Sequence, residues 1–410
     1  MAIRTLVRTL LRNPAGPLLL AAQVALALMI FANVGYVIFV RFETTGRPTG
    51  IDLQNTFAIW SKGYTKDYDQ QTATKPDLDY LNSLPGVVAA AAASTVPQTF
   101  AALRSPVSPN PELKSEARPA LLYEMTEQGV AVLGLHLIYG RSFGADAILP
   151  PPPAGSPARA FGSEVVITLA LAAHLFGSGD RALGKPLYFG ALNGGSATVV
   201  GVVERMQGGP YFGPDSDFVN DVVLAPANPT GKGTHYVVLT QAGQRDAVMN
   251  KVQREFAALR PGRYIERIKS LATIARQGRE DDRNGAVILA ILSSFVLAVT
   301  MLGLFGFASF SVTSRSKEIG TRRAIGATRA DIIQYFLAEN ILITAAGIAI
   351  GSIITLAFAL QLSMLLEMPR APTIFLTGAM ALVWISGLAA ALVPAVRGAR
   401  VPPAVATRSA

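Results

Sequence analysis

The chain has no cysteine, only three histidines, and Asp, Glu, Lys and Arg make up only 15% of its 410 residues. The first absence removes disulfides, thiolate metal sites and cysteine nucleophiles together. It leaves the compartment open, because periplasmic and cytosolic proteins alike can lack thiols. His136, His174 and His235 are far apart and none is followed at i+4 by another metal ligand, so the helical zinc pattern is missing. His174, in LAAHLFG, reads as a residue that packs or caps a helix. Asp215 and Asp217, in GPDSDF, fall short of the ligand count of a calcium loop and read as solvated carboxylates. No strained GxSxG turn of a serine hydrolase is present. The scarcity of charge is itself informative, since an ordinary soluble domain carries about a quarter charged residues.

What the chain has instead is apolar length. Half its residues are hydrophobic, and four runs are long enough to span roughly 30 Å of hydrocarbon at about 1.5 Å per residue. They run from Pro17 to Val40, Ala286 to Val312, Ile341 to Leu362 and Thr373 to Val393. The length also allows a soluble domain with its own core beside the membrane helices.

The net charge of +9 is concentrated at three places. Arg4, Arg8 and Arg12 precede the first run; Arg315, Lys317, Arg322, Arg323 and Arg329 separate the second from the third; Arg397, Arg400 and Arg408 follow the last. The positive-inside rule puts all three clusters in the cytoplasm, so the charge calls for a membrane surface and not for nucleic acid. Both termini are then cytoplasmic. The stretch from Arg41 to Arg283 and the short loop Glu367 to Pro372 fall on the opposite face. A cleaved signal peptide is the rival reading of the first run, but the run exceeds a typical signal core, and a second span that started inside the cell would leave the Ser314 to Ile332 bases outside, against the charge rule.

The expected architecture is an α-helical membrane protein with four transmembrane helices and a large α+β extracytoplasmic domain inserted between helices 1 and 2. Residues 1–41 form the first cytoplasmic segment and helix, 42–283 the outer domain, and 284–410 the remaining helices. Within the outer domain, strands are expected at Val88 to Ala93, Val165 to Thr168, Ala197 to Val203, Val219 to Leu224 and Tyr236 to Leu239, bounded by Gly, Pro, Asn and Asp. Asp77 to Leu84 reads as a short helix. Gln244 to Leu259 reads as an amphipathic one, with Val248, Val252, Phe256 and Leu259 at helical spacing, followed by the strand RYIERI. The proline run Leu149 to Gly155 is an exposed loop. GDRALGKP, Gly179 to Pro186, has the glycine and lysine spacing of a phosphate loop, yet Pro186 stands where magnesium needs Ser or Thr. The expectation is a turn, and a chain without an ATPase of its own.

The stretch SRSKEIGTRRAIGAT, Ser314 to Thr328, carries charge between two apolar spans in an ordered pattern. Glu318 and Arg322 form an i, i+4 pair in the favourable order, with Ile319 beside Arg322 and Arg323. Gly326 is placed to stop the helix, and Thr328 with Asp331 has capping-box spacing for the next. A lipid-binding basic segment would explain the charge. It would not explain Glu318, Ile319, Gly320 and Ala324, nor the stop and restart, so a protein-docking helix is the better reading. Glu339, near the inner end of the third span, is the main internal charge, to be paired with Arg322 or Arg323 or left at the interface. Gly347 and Gly351 form a GxxxG pair for close helix packing, a candidate dimer face.

KEIGTRRAIGAT resembles the signature of MacB and FtsX-type permeases, the transmembrane subunits of ABC transporters, often written REIG-x-R-x-A-x-GA. Glu318, Ile319, Gly320, Arg322, Ala324, Gly326 and Ala327 match, Lys317 replaces the usual Arg, and Thr321 is at a variable position. The ending PAVRGARVPPAVATR is similar to the family's, with Pro394, Pro402, Ala404 and Arg408 as counterparts. VLGLHLIYGRSF, LGKPL and TVVGVVERM resemble segments of the MacB-type outer domain. The resemblance covers nearly the full length.

It implies a non-catalytic subunit of the bacterial inner membrane without a cofactor of its own. ATP and magnesium would be bound by a separate cytoplasmic ABC ATPase docked at Lys317, Glu318, Ile319, Gly320, Arg322, Arg323, Ala324, Gly326 and Ala327. It further implies a homodimer or heterodimer of permeases and a periplasmic adaptor. The outer domain would divide into a porter-like part, about 42–120 and 234–283, and an inserted part, about 121–233. Export or efflux is the leading function. FtsX-like signalling to a cell-wall enzyme, or an ATPase-independent membrane sensor, is the alternative.

Overall fold

The computed structural model describes residues 14–45, 48–65, 68–99, 102–112, 117–148, 162–190, 195–209, 216–228, 233–366 and 372–402. The Asp215 carboxylate, the proline run, the Arg4 to Arg12 cluster, Ala404 and Arg408 lie outside them, as does the side chain of Asp217. The longer helices are α1 Ala15–Thr45, α2 Gln70–Ser83, α3 Leu169–Phe176, α4 Arg245–Glu255, α5 Leu271–Ser314, α6 Ser316–Ala324, α7 Arg329–Leu366 and α8 Thr373–Ala399. The strands are β1 Thr56–Gly63, β2 Val87–Ala93, β3 Leu103–Ser108, β4 Arg118–Met125, β5 Leu137–Gly140, β6 Glu164–Thr168, β7 Pro186–Phe189, β8 Ser196–Val203, β9 Val222–Pro226, β10 Gly233–Thr240 and β11 Arg263–Ser270. The chain divides into two compact units, residues 43–282 and residues 1–42 with 283–410.

In the first unit, β11, β1, β10 and β2 form an antiparallel sheet in that order. Side chains alternate across it with period two. Phe57, Ile59, Ala90, Ala92, Tyr236 and Val238 pack under α2 and α4 against Leu81, Val252 and Phe256. Ala58, Trp60, Ala89, Ala91 and Val237 face the other way. Beyond β2 the strands meet by a single pair, Ala93 with Met125 of β4. The remaining pairings then run β4, β3, β7, β8, β6, β9 and return to β4 in parallel. This ring covers its own edges and encloses Leu122, Val165, Ile167, Leu187, Phe189 and Val199. By pairing, β3 goes with β4 and β7, not with the β1 and β2 sheet. The strand expected at Val219 begins only at Val222, because Ser216–Asn220 forms a 3-10 turn first.

Among the described residues, four helices are long and apolar enough to cross a membrane, at Ala15–Phe39, Leu271–Ser314, Arg329–Gln361 and Thr373–Ala399, and they make up the second unit. Val24, Ala27 and Leu28 of α1, Leu304 of α5, Ile343 and Ile348 of α7, and Val383 and Ala390 of α8 form their shared core. The GxxxG pair belongs to this core. A Cβ on Gly347 would lie 2.6 Å from the Val24 Cβ, and one on Gly351 2.8 Å from the Ala25 Cα. The two glycines therefore bring α7 onto α1 of the same chain.

Candidate functional site

Helix α6 sits between two apolar helices, and its ends are built by local sequence. The Ile325 residue caps it, Gly326 follows with φ +107°, and the Gly326 N–H donates to Arg323 O (3.2 Å) while Ala327 N–H donates to Arg322 O (3.0 Å). This double bond pattern is a Schellman stop, and it needs the left-handed backbone that glycine supplies without strain. Two residues on, the Asp331 carboxylate accepts from the Thr328 N–H (2.8 Å) and hydroxyl (2.6 Å), and the Thr328 hydroxyl accepts from the Asp331 N–H (3.2 Å). A capping box with Asp in place of Glu thus starts α7.

One face of α6 is anchored within the chain. Ile319 is 3% exposed and packs with Val312, Ile332, Phe336, Ala395 and Ala399. Gly320 is buried beside it. Arg323 donates to the Val401 carbonyl at 2.7 Å, which ties α6 to the chain after α8. Ile319, Gly320 and Arg323 therefore hold the helix in place within this chain.

The opposite face carries Lys317, Glu318, Thr321, Ala324, Ile325, Gly326, Thr328 and Arg329, all exposed. Glu318 and Arg322 form the i, i+4 ion pair, and the Arg322 guanidinium lies over the Tyr335 ring, 4.8 Å from its centroid. Ile325 is 83% exposed, an aliphatic side chain held out at the helix stop. The sequence reading passed over it because the match to the signature leaves that position variable. Its signal was its place between the stop glycine and Ala324, in a segment whose other isoleucine is buried.

Glu339 is 2% exposed and meets neither Arg322 nor Arg323. Its carboxylate accepts from Arg315 at 3.0 and 3.3 Å and from the Ser311 hydroxyl at 3.1 Å. The expected partners are corrected for a geometric reason. Arg315 stands at the junction of α5 and α6 and faces α7, while Arg322 and Arg323 are committed to Glu318 and Val401.

Elsewhere in the chain, the phosphate-loop resemblance dissolves. Gly179–Ala182 is one helical turn, Pro186 opens β7, and the Gly184 and Lys185 N–H groups donate to Val199 and Ala182. They have no donor left for a phosphate. His174 Nδ1 meets Asp221 Oδ1 at 2.9 Å, and Arg118 Nε meets Asp221 Oδ2 at 2.5 Å, so this histidine ties α3 to a fully buried carboxylate. Among the described residues no three His, Asp or Glu side chains converge as a metal site.

The family described as MacB-like periplasmic core domain matches residues 20–255, and that described as FtsX-like permease C-terminal matches residues 290–403. The chain is 30% identical over 266 residues to the macrolide export ATP-binding/permease protein MacB of Wolinella succinogenes, covering 61% of this chain and 39% of that protein. It is 28% identical over 257 residues to the protein of the same name from Hyphomonas neptunium, covering 60% and 38% respectively. The chain thus spans less than two fifths of the length of these relatives. A solved structure of the periplasmic region of MacB from Actinobacillus actinomycetemcomitans aligns with 56% of this chain and 94% of its own at 17% identity, with a TM-score of 0.34.

Proposed function

Because this chain belongs to the MacB/FtsX-like permease family, we propose that it is the membrane subunit of an export system driven by a cytoplasmic ABC ATPase. The ATPase, holding ATP and magnesium, docks on the open face of α6 and its motion reaches the outer α+β unit through the membrane helices. In this reading both termini and α6 are cytoplasmic, two permease chains, identical or related, form the working unit, and a periplasmic adaptor receives the outer one.

The observation that carries the proposal is the two-sided character of α6. Buried Ile319 and bonded Arg323 fix the helix to the chain, while Ile325 stands exposed among Lys317, Thr321 and Ala324. Ile325 is an 83% exposed aliphatic side chain held at a rigid stop, and a docked partner would bury it. The complement on the partner is an apolar socket with an acidic rim to face Lys317 and Arg329.

Absence of native cysteine makes the test clean. Ile325→Cys places one thiol on the chain, and a thiol-linked photocrosslinker there, in nanodiscs with nucleotide, should trap an ATP-hydrolysing subunit. Crosslinks only to lipid would contradict the docking reading.

A further inference from the structure

We infer that helices α7 and α8 hold one water molecule between them, bound by the Asn340 side-chain oxygen and the Thr344 hydroxyl where both residues meet Gly387. This goes beyond the docking proposal and does not depend on it.

The site is built where the two helices touch. Asn340 and Thr344 are one turn apart on α7, so they share a face, and they are only 4% and 1% exposed. The Asn340 Nδ2 donates to the Gly387 carbonyl of α8 at 2.7 Å. A carbonyl only accepts, so the amide nitrogen is the end that faces Gly387 and the amide oxygen is turned into the seam. There it is buried without a partner, and the Thr344 hydroxyl is buried without a partner too. Thr344 lies against the same glycine, since a Cβ on Gly387 would fall 3.0 Å from Thr344 Oγ1. Side chains four apart on a helix have Cβ atoms about 5–6 Å apart. One water making two bonds of about 2.8 Å covers that span.

Other hydroxyls of these helices show what Thr344 forgoes. A Ser or Thr in an apolar helix can satisfy itself on the carbonyl four residues back, and Thr300, Ser352, Thr355 and Ser386 all do so at 2.6–2.8 Å. Thr344 makes no such bond to the Asn340 carbonyl. An idle acceptor and an idle hydroxyl in an apolar core are costly and rare. The adjacent charge on α7, Glu339, is spent on Arg315 and Ser311. Two neutral oxygens are too few for a hard cation, and the amide oxygen repels an anion. Water suits both groups, donating one hydrogen to Asn340 Oδ1 and exchanging a bond with Thr344 Oγ1. It gives α7 and α8 a polar joint in an otherwise apolar core.

The test uses the full chain in lipid bilayers, isotope-labelled at Asn, Thr and Leu, with solid-state NMR reading the transfer of magnetisation from water. The Asn340→Leu and Thr344→Val variants identify the two signals. The proposal expects faster transfer to the Asn340 and Thr344 side chains than to Leu28, which is buried in the shared core of the helices, and loss of the Asn340 transfer in Thr344→Val. Unfolding in mixed micelles gives a second readout, because Thr344→Val keeps the side-chain shape and removes only the hydroxyl. The folded-to-unfolded ratio should fall by roughly two- to tenfold when a water-bonded hydroxyl is lost, whereas loss of an idle one leaves it unchanged or raises it. Transfer to Asn340 no faster than to Leu28, or a ratio in Thr344→Val at or above the native value, overturns the proposal.

Discussion

Arg315 grips the Glu339 carboxylate with both terminal nitrogens, at 3.0 and 3.3 Å, and the Arg315 Nη1 also donates to the Tyr335 hydroxyl at 2.9 Å. The fork joins the end of α5 to the first third of α7 at the point where α6 departs. Both α6 flanks are thereby fixed to one another. The pair is a positioning device and leaves the exposed face of α6 untouched.

Arg315→Ala should therefore be costly, because it strands a carboxylate that is 2% exposed. Breaking such a pair typically costs about 3–5 kcal/mol. An Arg315→Met, Glu339→Met double variant removes both charges and should recover most of the loss. Denaturant unfolding in mixed micelles decides it, and equal losses in single and double variants would show that the pair is incidental.

Ile319 and Ile325 lie six residues apart on one short element and should behave in opposite ways. Ile319→Ala empties a packed site and is expected to cost about 2–5 kcal/mol. Ile325→Ala should change stability by less than about 0.5 kcal/mol, as surface substitutions do. Paired melting curves test this, and comparable losses would mean that the packing of α6 is misassigned.

Gly347→Val places a side chain against Val24 and Ala21 of α1. Overpacking of this kind costs about 1–3 kcal/mol. Nanodiscs loaded with one chain each should show the loss in full. A defect seen only when two chains share a disc would return these glycines to a dimer face.

His235 gives the outer unit a pH response. Burial lowers its pKa, with hydrogen bonding to the Ser94 carbonyl (3.0 Å) as a smaller opposing effect. The folded state then binds fewer protons than the unfolded one below the unfolded value of about 6.5. Stability is present above that value and is lost as pH falls from it toward the lower folded pKa. Amide exchange along β10, corrected for intrinsic rates, should accelerate over that interval in the native chain. His235→Gln should flatten the response, and an unchanged slope would remove His235 as its source.

Much of this was legible in the sequence wherever the governing interaction is local. The four apolar helices, the Glu318 and Arg322 pair, the stop at Gly326 and the Thr328 and Asp331 box all depend on residues within four positions of each other. What was missed depends on distant pairs. Arg315 is 24 residues from Glu339, and the glycines of α7 find Val24 and Ala25 more than three hundred residues earlier. Asp77 meets Arg263 across 186 positions, so its buried network had no periodic signal at all. Ile319 matched the family signature, but a match cannot tell a residue that touches a partner from one that holds the helix, and only burial separated it from Ile325.

The central claim is that the open face of α6, centred on Ile325, receives a cytoplasmic ATPase. The most direct measurement is co-purification from nanodiscs, with nucleotide present, of the native chain and Ile325→Asp, followed by mass spectrometry and an ATP hydrolysis assay. The account predicts an ATP-hydrolysing subunit with the native chain, its loss with Ile325→Asp, and identical melting of the two proteins. An ATPase retained equally by both, or recovered with neither, would contradict it.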